Sequence, residues 1–315
     1  MIKNILNFLN FFRVNKRLKN HRLTYFSDGP IKDVSKIDNL DKKRIIVKNI
    51  LKFLKNCNLS YENIKVDENL KVAGLWKNYL MDKKDQKLIY ETMDVDKIVL
   101  FHENMFFNCL IKGMWNYNHY ETANKDYNTL LLFLKDLELY KIIFEGFSDL
   151  SNTNEINKWG YKFDNKKFHY LDISSKIQKN LILNSLNLIG KSKTNILEIG
   201  GGFGSLAERL FESEKINSYT NVDIPSSLVT AYYYLATKYG EDIVELIDTK
   251  SRLDEKLNLD EKKIFLIPSA FYSEIKKYEK YDLLCNFASF SEMDFETVKN
   301  YLENLPKSIN IIVTS

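Results

Sequence analysis

Glu198 and the glycines at positions 200, 201, 202 and 204 are the residues whose types and spacing point most directly to chemistry. They stand in the run Asn195-Ile196-Leu197-Glu198-Ile199-Gly200-Gly201-Gly202-Phe203-Gly204-Ser205-Leu206-Ala207-Glu208-Arg209-Leu210. A short apolar stretch ends in an acid, glycines crowd the turn, and helix formers follow. That order predicts strand, tight loop, helix. Glycines permit φ > 0 and let backbone come close to a ligand without an intervening Cβ. The start of the helix aims unpaired N–H groups and a partial positive charge at whatever lies there. Turns of this kind at the C-terminal ends of strands are where open α/β sheets bind nucleotides. The chemistry expected is therefore the holding of an adenosine-containing cofactor. A glycine-rich turn that binds nothing is the alternative.

Spacing narrows the cofactor. A dinucleotide fingerprint, G-x-G-x-x-G, places its third glycine three residues after the second; here that position is Ser205, and Glu198 lies two residues before the first glycine. A pyrophosphate would be poorly served by a carboxylate at that spot. E-x-G-x-G-x-G resembles motif I of the class I S-adenosylmethionine-dependent methyltransferases. S-adenosylmethionine has no phosphate and carries a sulfonium and an ammonium group, so an acid nearby is electrostatically sensible. Ser218 to Asp223 reads as a second strand ending in an acid, and Asp223 can accept hydrogen bonds from ribose hydroxyls.

The elements that must position these residues follow from pattern. Ser226 to Tyr239 reads as a helix after Pro225, with Leu228, Val229, Tyr232, Leu235, Ala236 and Tyr239 at helical spacing. Ile264 to Ile267, closed by Pro268-Ser269-Ala270, reads as a third strand, Tyr281 to Asn286 as a fourth and Ile309 to Val313 as a fifth. Phe295 to Leu305 offers a helix between the last two. Strands alternating with helices imply an α/β fold with a parallel, doubly wound, Rossmann-like sheet. Residues 41–190 read mainly as helices, so residues 1–175 are expected to form a mainly helical N-terminal region, and 176–315 the cofactor-binding domain.

Three segments together are similar to the sugar O-methyltransferase family of bacterial surface-polysaccharide loci. They are Glu198 to Ala207, Val222-Asp223-Ile224-Pro225-Ser226-Ser227-Leu228, and Asn286-Phe287-Ala288-Ser289-Phe290-Ser291-Glu292-Met293. The resemblance covers residues 176–315. It implies S-adenosylmethionine-dependent methylation of a sugar hydroxyl on a surface-polysaccharide or glycan precursor. The N-terminal region would then close the substrate pocket as a lid or serve oligomerisation. The expected cofactor-binding set is Glu198, Gly200, Gly201, Gly202, Gly204, Asp223, Ile224, Ser269, Ala270 and Asn286. A sugar hydroxyl is a poor nucleophile, and a general base or a metal would help it. Glu292 is the first candidate base, with His102 next and His119, His169 and Asp294 in reserve. Ser289-x-x-Glu292 also reads as a capping box at the start of the next helix. A divalent metal is compatible with the chemistry, yet no spacing of acids singles out metal ligands.

The class I sheet normally has seven strands, the last two a hairpin. Five are recognisable here, so the terminal hairpin is expected to be missing. A catalytically inactive or truncated S-adenosylmethionine-binding remnant, or a partner subunit, is accordingly the alternative function. An oxidoreductase using a dinucleotide is disfavoured by Glu198 and the glycine spacing.

Composition excludes several classes. Over 315 residues the net charge is +4, with no basic block to demand a nucleic-acid partner. Hydrophobic content of 44% is enough for a core. Cys57, Cys109 and Cys285 are scattered, with no zinc spacing, which fits a reducing cytoplasm. No apolar run approaches the roughly 20 residues that span a bilayer. Residues 1–20, apolar and then basic, could rest on the inner face of a membrane or pack on the body or on another subunit. The aromatic-rich run Phe101 to Tyr120, with Glu103, Trp115, His119 and Tyr120, suits sugar faces and hydroxyls, and equally suits ordinary core.

Overall fold

The computed structural model describes residues 23–63, 84–108, 110, 138–143, 156, 159–163 and 166–314. Residues 1–20, Trp115, His119 and Tyr120, and the leucine-rich run from Leu130 to Leu137 lie outside them. Contacts divide the chain into two compact units, Met1–Lys32 with Glu103–Gln178 and Asp33–His102 with Lys179–Ser315.

The first unit contains a small antiparallel sheet of β1 (Leu23–Ser27), β2 (Trp159–Phe163) and β3 (Lys166–Phe168) in that order. Leu23 lies opposite Phe163, and Tyr161 opposite Phe168. The aromatic and β-branched content of these short runs favours strands.

The second unit opens with α1 (Leu40–Asn63), α2 (Lys84–Glu91) and α3 (Val95–Glu103), and resumes within α4 (Tyr170–Ile189). Then β4 (Thr194–Ile199), α5 (Ser205–Phe211), β5 (Ile216–Asp223), α6 (Pro225–Tyr239), β6 (Val244–Leu246) and α7 (Lys250–Lys256) alternate. The series ends with β7 (Lys263–Pro268), α8 (Tyr272–Ile275), β8 (Leu283–Asn286), α9 (Phe295–Glu303) and β9 (Ile311–Thr314). The six strands form one parallel sheet in the order β6-β7-β5-β4-β8-β9. This is the doubly wound α/β sheet that the alternation predicts. The correction is β6. Three residues at a sheet edge are too few to show a period, so the sequence reveals five strands where the sheet has six among the described residues.

From β4 the chain passes to β5 beside it, crosses to the far edge as β6, steps back between them as β7, then returns to the other side of β4 for β8 and β9. The order therefore reverses between β4 and β8, and open sheets bind ligands at such a reversal, beyond the strand C-termini. The glycine loop leaves β4 at that point.

Side chains alternate across the sheet. Leu197 and Ile199 of β4 join Val222, Phe265, Ile267 and Leu284 in a core completed by Leu253, Phe271, Tyr272, Ile275, Tyr281 and Tyr301. Glu198, between Leu197 and Ile199, therefore faces the other way. The register pairs it with Asn221 of β5 on one side and Cys285 of β8 on the other. Tyr219 and Asp223, two residues either side of Asn221, share that face.

On α5 and α6, buried Glu208 is the anchor. It accepts from the Tyr234 hydroxyl at 2.6 Å and from Lys238 Nζ at 2.8 Å, and its backbone carbonyl accepts from the Tyr239 hydroxyl. Helix α6 begins with Pro225 at its first position and stops at Gly240, whose φ of +93° ends the helical path. Helix α1 is tied to α3 by a two-pronged Arg44–Asp96 pair at 2.7 and 2.8 Å, to Tyr232 of α6 by Asn49 Nδ2 at 3.1 Å, and to Asp248 by Asn56 Nδ2 at 2.6 Å. Among the described residues no helix is long and apolar enough to cross a membrane.

Candidate functional site

The loop after β4 is held by its own amides. Gly200 N–H donates to the Val222 carbonyl at 2.8 Å, Gly201 N–H to Asn221 Oδ1 at 3.1 Å, Gly202 N–H to Asp223 Oδ2 at 2.8 Å, and Gly204 N–H to the Gly201 carbonyl at 3.1 Å. Strand β5 thus supplies three of the four acceptors. Gly200, Gly202 and Gly204 have φ of +73°, +57° and +88°, a region closed to most side chains.

The glycines serve packing as well as conformation. A Cβ on Gly200 would lie 2.1 Å from Ser289 Oγ, one on Gly201 2.2 Å from Glu198 Oε2 and 2.7 Å from Asn221 Cγ, and one on Gly204 2.8 Å from Leu235 Cδ1. The close approach expected to a ligand is, at these three positions, an approach to the chain's own side chains. The four glycine amides are likewise taken by protein oxygens.

Glu198 is buried beneath this loop, and Tyr219 donates its hydroxyl to Oε2 at 2.8 Å. Burial pushes the carboxyl up to about 8; nearby Asp223 adds to the rise, while the Tyr219 bond opposes it. The Tyr219 hydroxyl and the Cys285 thiol, buried against the same acid, are also pushed up, chiefly by burial. Near neutral pH Glu198 is therefore mainly protonated. Asp223, half-buried, ends β5, with Oδ2 taking Gly202 N–H and Oδ1 taking Ile224 N–H at 2.7 Å.

Across the strand reversal a second latch closes on β4. Asn286 Nδ2 donates to the Ile199 carbonyl at 2.8 Å, Ser289 Oγ donates to the same carbonyl at 3.1 Å, and Asn286 Oδ1 accepts from Phe290 N–H at 3.1 Å. Fully buried Asn286 is thus committed to positioning the loop, where the sequence suggested direct cofactor contact. Ser269 is likewise buried, its side chain bonded to the Tyr301 phenol, and Ala270 packs against the core. Ile224 is the N-cap of α6.

The capping-box reading is overturned. Residues Ser289–Glu292 form a 3-10 turn after Ala288, which takes φ +69°, and Ser289 Oγ turns to β4. Asp294 caps α9, its carboxylate accepting from Thr297 N–H at 2.8 Å. Glu292 ends the 3-10 turn, half-buried, just beyond β8.

His102 is not brought to the cradle. It lies wholly buried on α3, stacked on Tyr233 of α6 at 4.5 Å, with Nε2 hydrogen-bonded to the Tyr90 hydroxyl at 2.9 Å. Burial drives it down to about 3, which removes the basicity a general base needs. His169, in the first unit, is buried against Phe106, and burial drives it down to about 3 as well. Two residues of the cradle escape a motif reading, Tyr219 and Asn221. Counting back in twos from Asp223 puts both on its face, a placement that gains meaning once β5 lies beside β4.

No protein-family model and no curated protein matches this chain. Among solved structures, similarity is found to the methyltransferase domain of the bacterial protein CtHen1-CN, at 18% identity over 44% of this chain, with a TM-score of 0.30. The small RNA methyltransferase HEN1 aligns at 15% identity over 44% of this chain and 16% of its own, TM-score 0.32. Haemonchus contortus phospholethanolamine N-methyltransferase 2, in complex with phosphomonomethylethanolamine and S-adenosylhomocysteine, aligns at 15% identity over 42% of this chain and 27% of its own, TM-score 0.25. The chain spans 63% of the length of the first of these.

Proposed function

We propose that the chain binds S-adenosylmethionine at the loop after β4 and transfers its methyl group to a hydroxyl of a sugar or glycan precursor. One observation carries the cofactor choice. The amides of Gly200, Gly201, Gly202 and Gly204 are each satisfied by protein oxygens, and buried Glu198 lies directly beneath. A pyrophosphate needs free N–H donors, which these four amides do not offer. A phosphate-free, cationic ligand needs none and favours the ionised form of the buried acid. The residues fit such a group: Asp223 would take the ribose hydroxyls, and Glu198 would hold the positively charged end.

When bound, S-adenosylmethionine supplies an electrophilic methyl on a sulfonium. The chain's part is to hold the attacking oxygen in line and to take its proton. Holding two reacting atoms in line can itself supply much of the rate. Glu292, at the end of the 3-10 turn beyond β8, is the base that accepts the hydroxyl proton. The sugar substrate rests on the likeness of the three segments described above.

The test is a transfer assay with methyl-labelled donor and a panel of nucleotide sugars. Label is expected in a sugar methyl ether, with Glu292→Gln slower by about a hundredfold or more. A Glu292→Gln enzyme at full rate removes the base, and label found in no sugar across the panel removes the substrate class.

A further inference from the structure

Asn221 holds an amide that the rest of the cradle does not use. It is fully buried, and Oδ1 takes the Gly201 N–H, which fixes which way the amide faces. Among the described residues Nδ2 has no hydrogen-bond partner. A buried donor without an acceptor is costly, and such groups in folded proteins usually have a reason. Its cross-strand neighbour is Glu198, and both side chains close on Gly201, where an added Cβ would touch Glu198 Oε2 and Asn221 Cγ together.

We propose that Asn221 is a positioning residue that receives Glu198 as a carboxylate when the cofactor enters, so that binding expels one proton from the cradle to solvent. The inference rests on the cofactor reading above. In the free protein burial favours the protonated acid, and Tyr219 donates to Oε2 at 2.8 Å. The groups facing Glu198 are Tyr219, Asn221 and Asp223 from β5 and Cys285 from β8. Among the described residues none of these four is a cation, and the ammonium group of the ligand supplies the positive charge that favours ionisation. On binding, the Glu198 O–H bond breaks, the electron pair stays on oxygen and the proton passes to bulk water. The carboxylate then accepts from both the Tyr219 hydroxyl and Asn221 Nδ2.

Calorimetric titration of the full chain with S-adenosylhomocysteine, which keeps the ammonium group, reads this directly. At pH 7, in buffers of different ionisation enthalpy, the slope of the observed heat counts protons released. The wild type is expected to release about one proton per ligand and Glu198→Gln none. Asn221→Asp keeps the acceptor for Gly201 and replaces the donor with negative charge. It is expected to bind about tenfold more weakly and to release less than half as many protons as the wild type. Should that variant not fold, the wild type against Glu198→Gln still decides the proton. Binding by the wild type without proton release overturns the inference and leaves the cofactor reading intact. Unchanged release in Asn221→Asp removes Asn221 from it, and no binding by the folded wild type overturns both.

Discussion

At Gly201 the missing Cβ is a packing requirement, because Glu198 Oε2 and Asn221 fill the volume it would take. Gly201→Ala is therefore expected to destabilise the fold by about 1–3 kcal/mol, the usual cost of overpacking, and to weaken cofactor binding with it. Denaturant unfolding and a binding titration on the same sample check both effects. A change at Gly202 would be harder to interpret, since its φ of +57° adds backbone strain to any side chain. Glu198 carries a different prediction. Its folded value of about 8 lies above the ordinary carboxylate value of 4.5. Its contribution to stability is therefore fully present at low pH and is lost as pH rises from about 4.5 through 8. Glu198→Gln should lack that loss, on the order of a few kcal/mol, when urea unfolding at pH 4.5 and pH 8.5 is compared with the wild type. Glu198, Asp223 and the glycines were legible as a motif because their spacing is itself the signal. Asn221 and Tyr219 were not, since an Asn and a Tyr within a strand acquire meaning only once β5 is laid beside β4.

The elements around the loop show where local pattern is decisive and where it is not. The run from Ser289 to Glu292 satisfies the capping-box rule on paper, yet Ser289 is drawn away by the Ile199 carbonyl and Asp294 takes the cap. A tertiary hydrogen bond outcompeted a local one, and no window of sequence contains both partners. Asp294→Ala should accordingly cost about 1 kcal/mol of stability through α9. Ser289→Ala should leave the α9 cap intact and instead loosen the β4 loop. Amide exchange separates the two, with faster exchange in the first turn of α9 for the first variant and at the glycine loop for the second. The long helices and central strands were legible from period and from Pro225, whereas β6 fell below the length at which a period exists. His102 was misassigned for a comparable reason: its stacking partner Tyr233 lies 131 positions away (233 − 102), on another helix.

At the scale of the molecule, a parallel sheet reverses its order beside β4, and residues from β4, β5 and β8 converge at that one place. Helix α1, from the N-terminal half of the chain, packs against α6 in the same unit, so the sheet unit draws on sequence well before the first sheet strand. The alternation of strands and helices made the architecture readable in advance. The attachment of α1 was not readable, because its bonds to α3, α6 and Asp248 join side chains far apart in sequence. The central claim about the molecule is that the loop takes a phosphate-free, cationic ligand. Calorimetry of the full chain with S-adenosylhomocysteine and, separately, with NAD tests this most directly. Saturable binding of S-adenosylhomocysteine with no heat from NAD is the predicted result; saturable NAD binding with none for S-adenosylhomocysteine would contradict it.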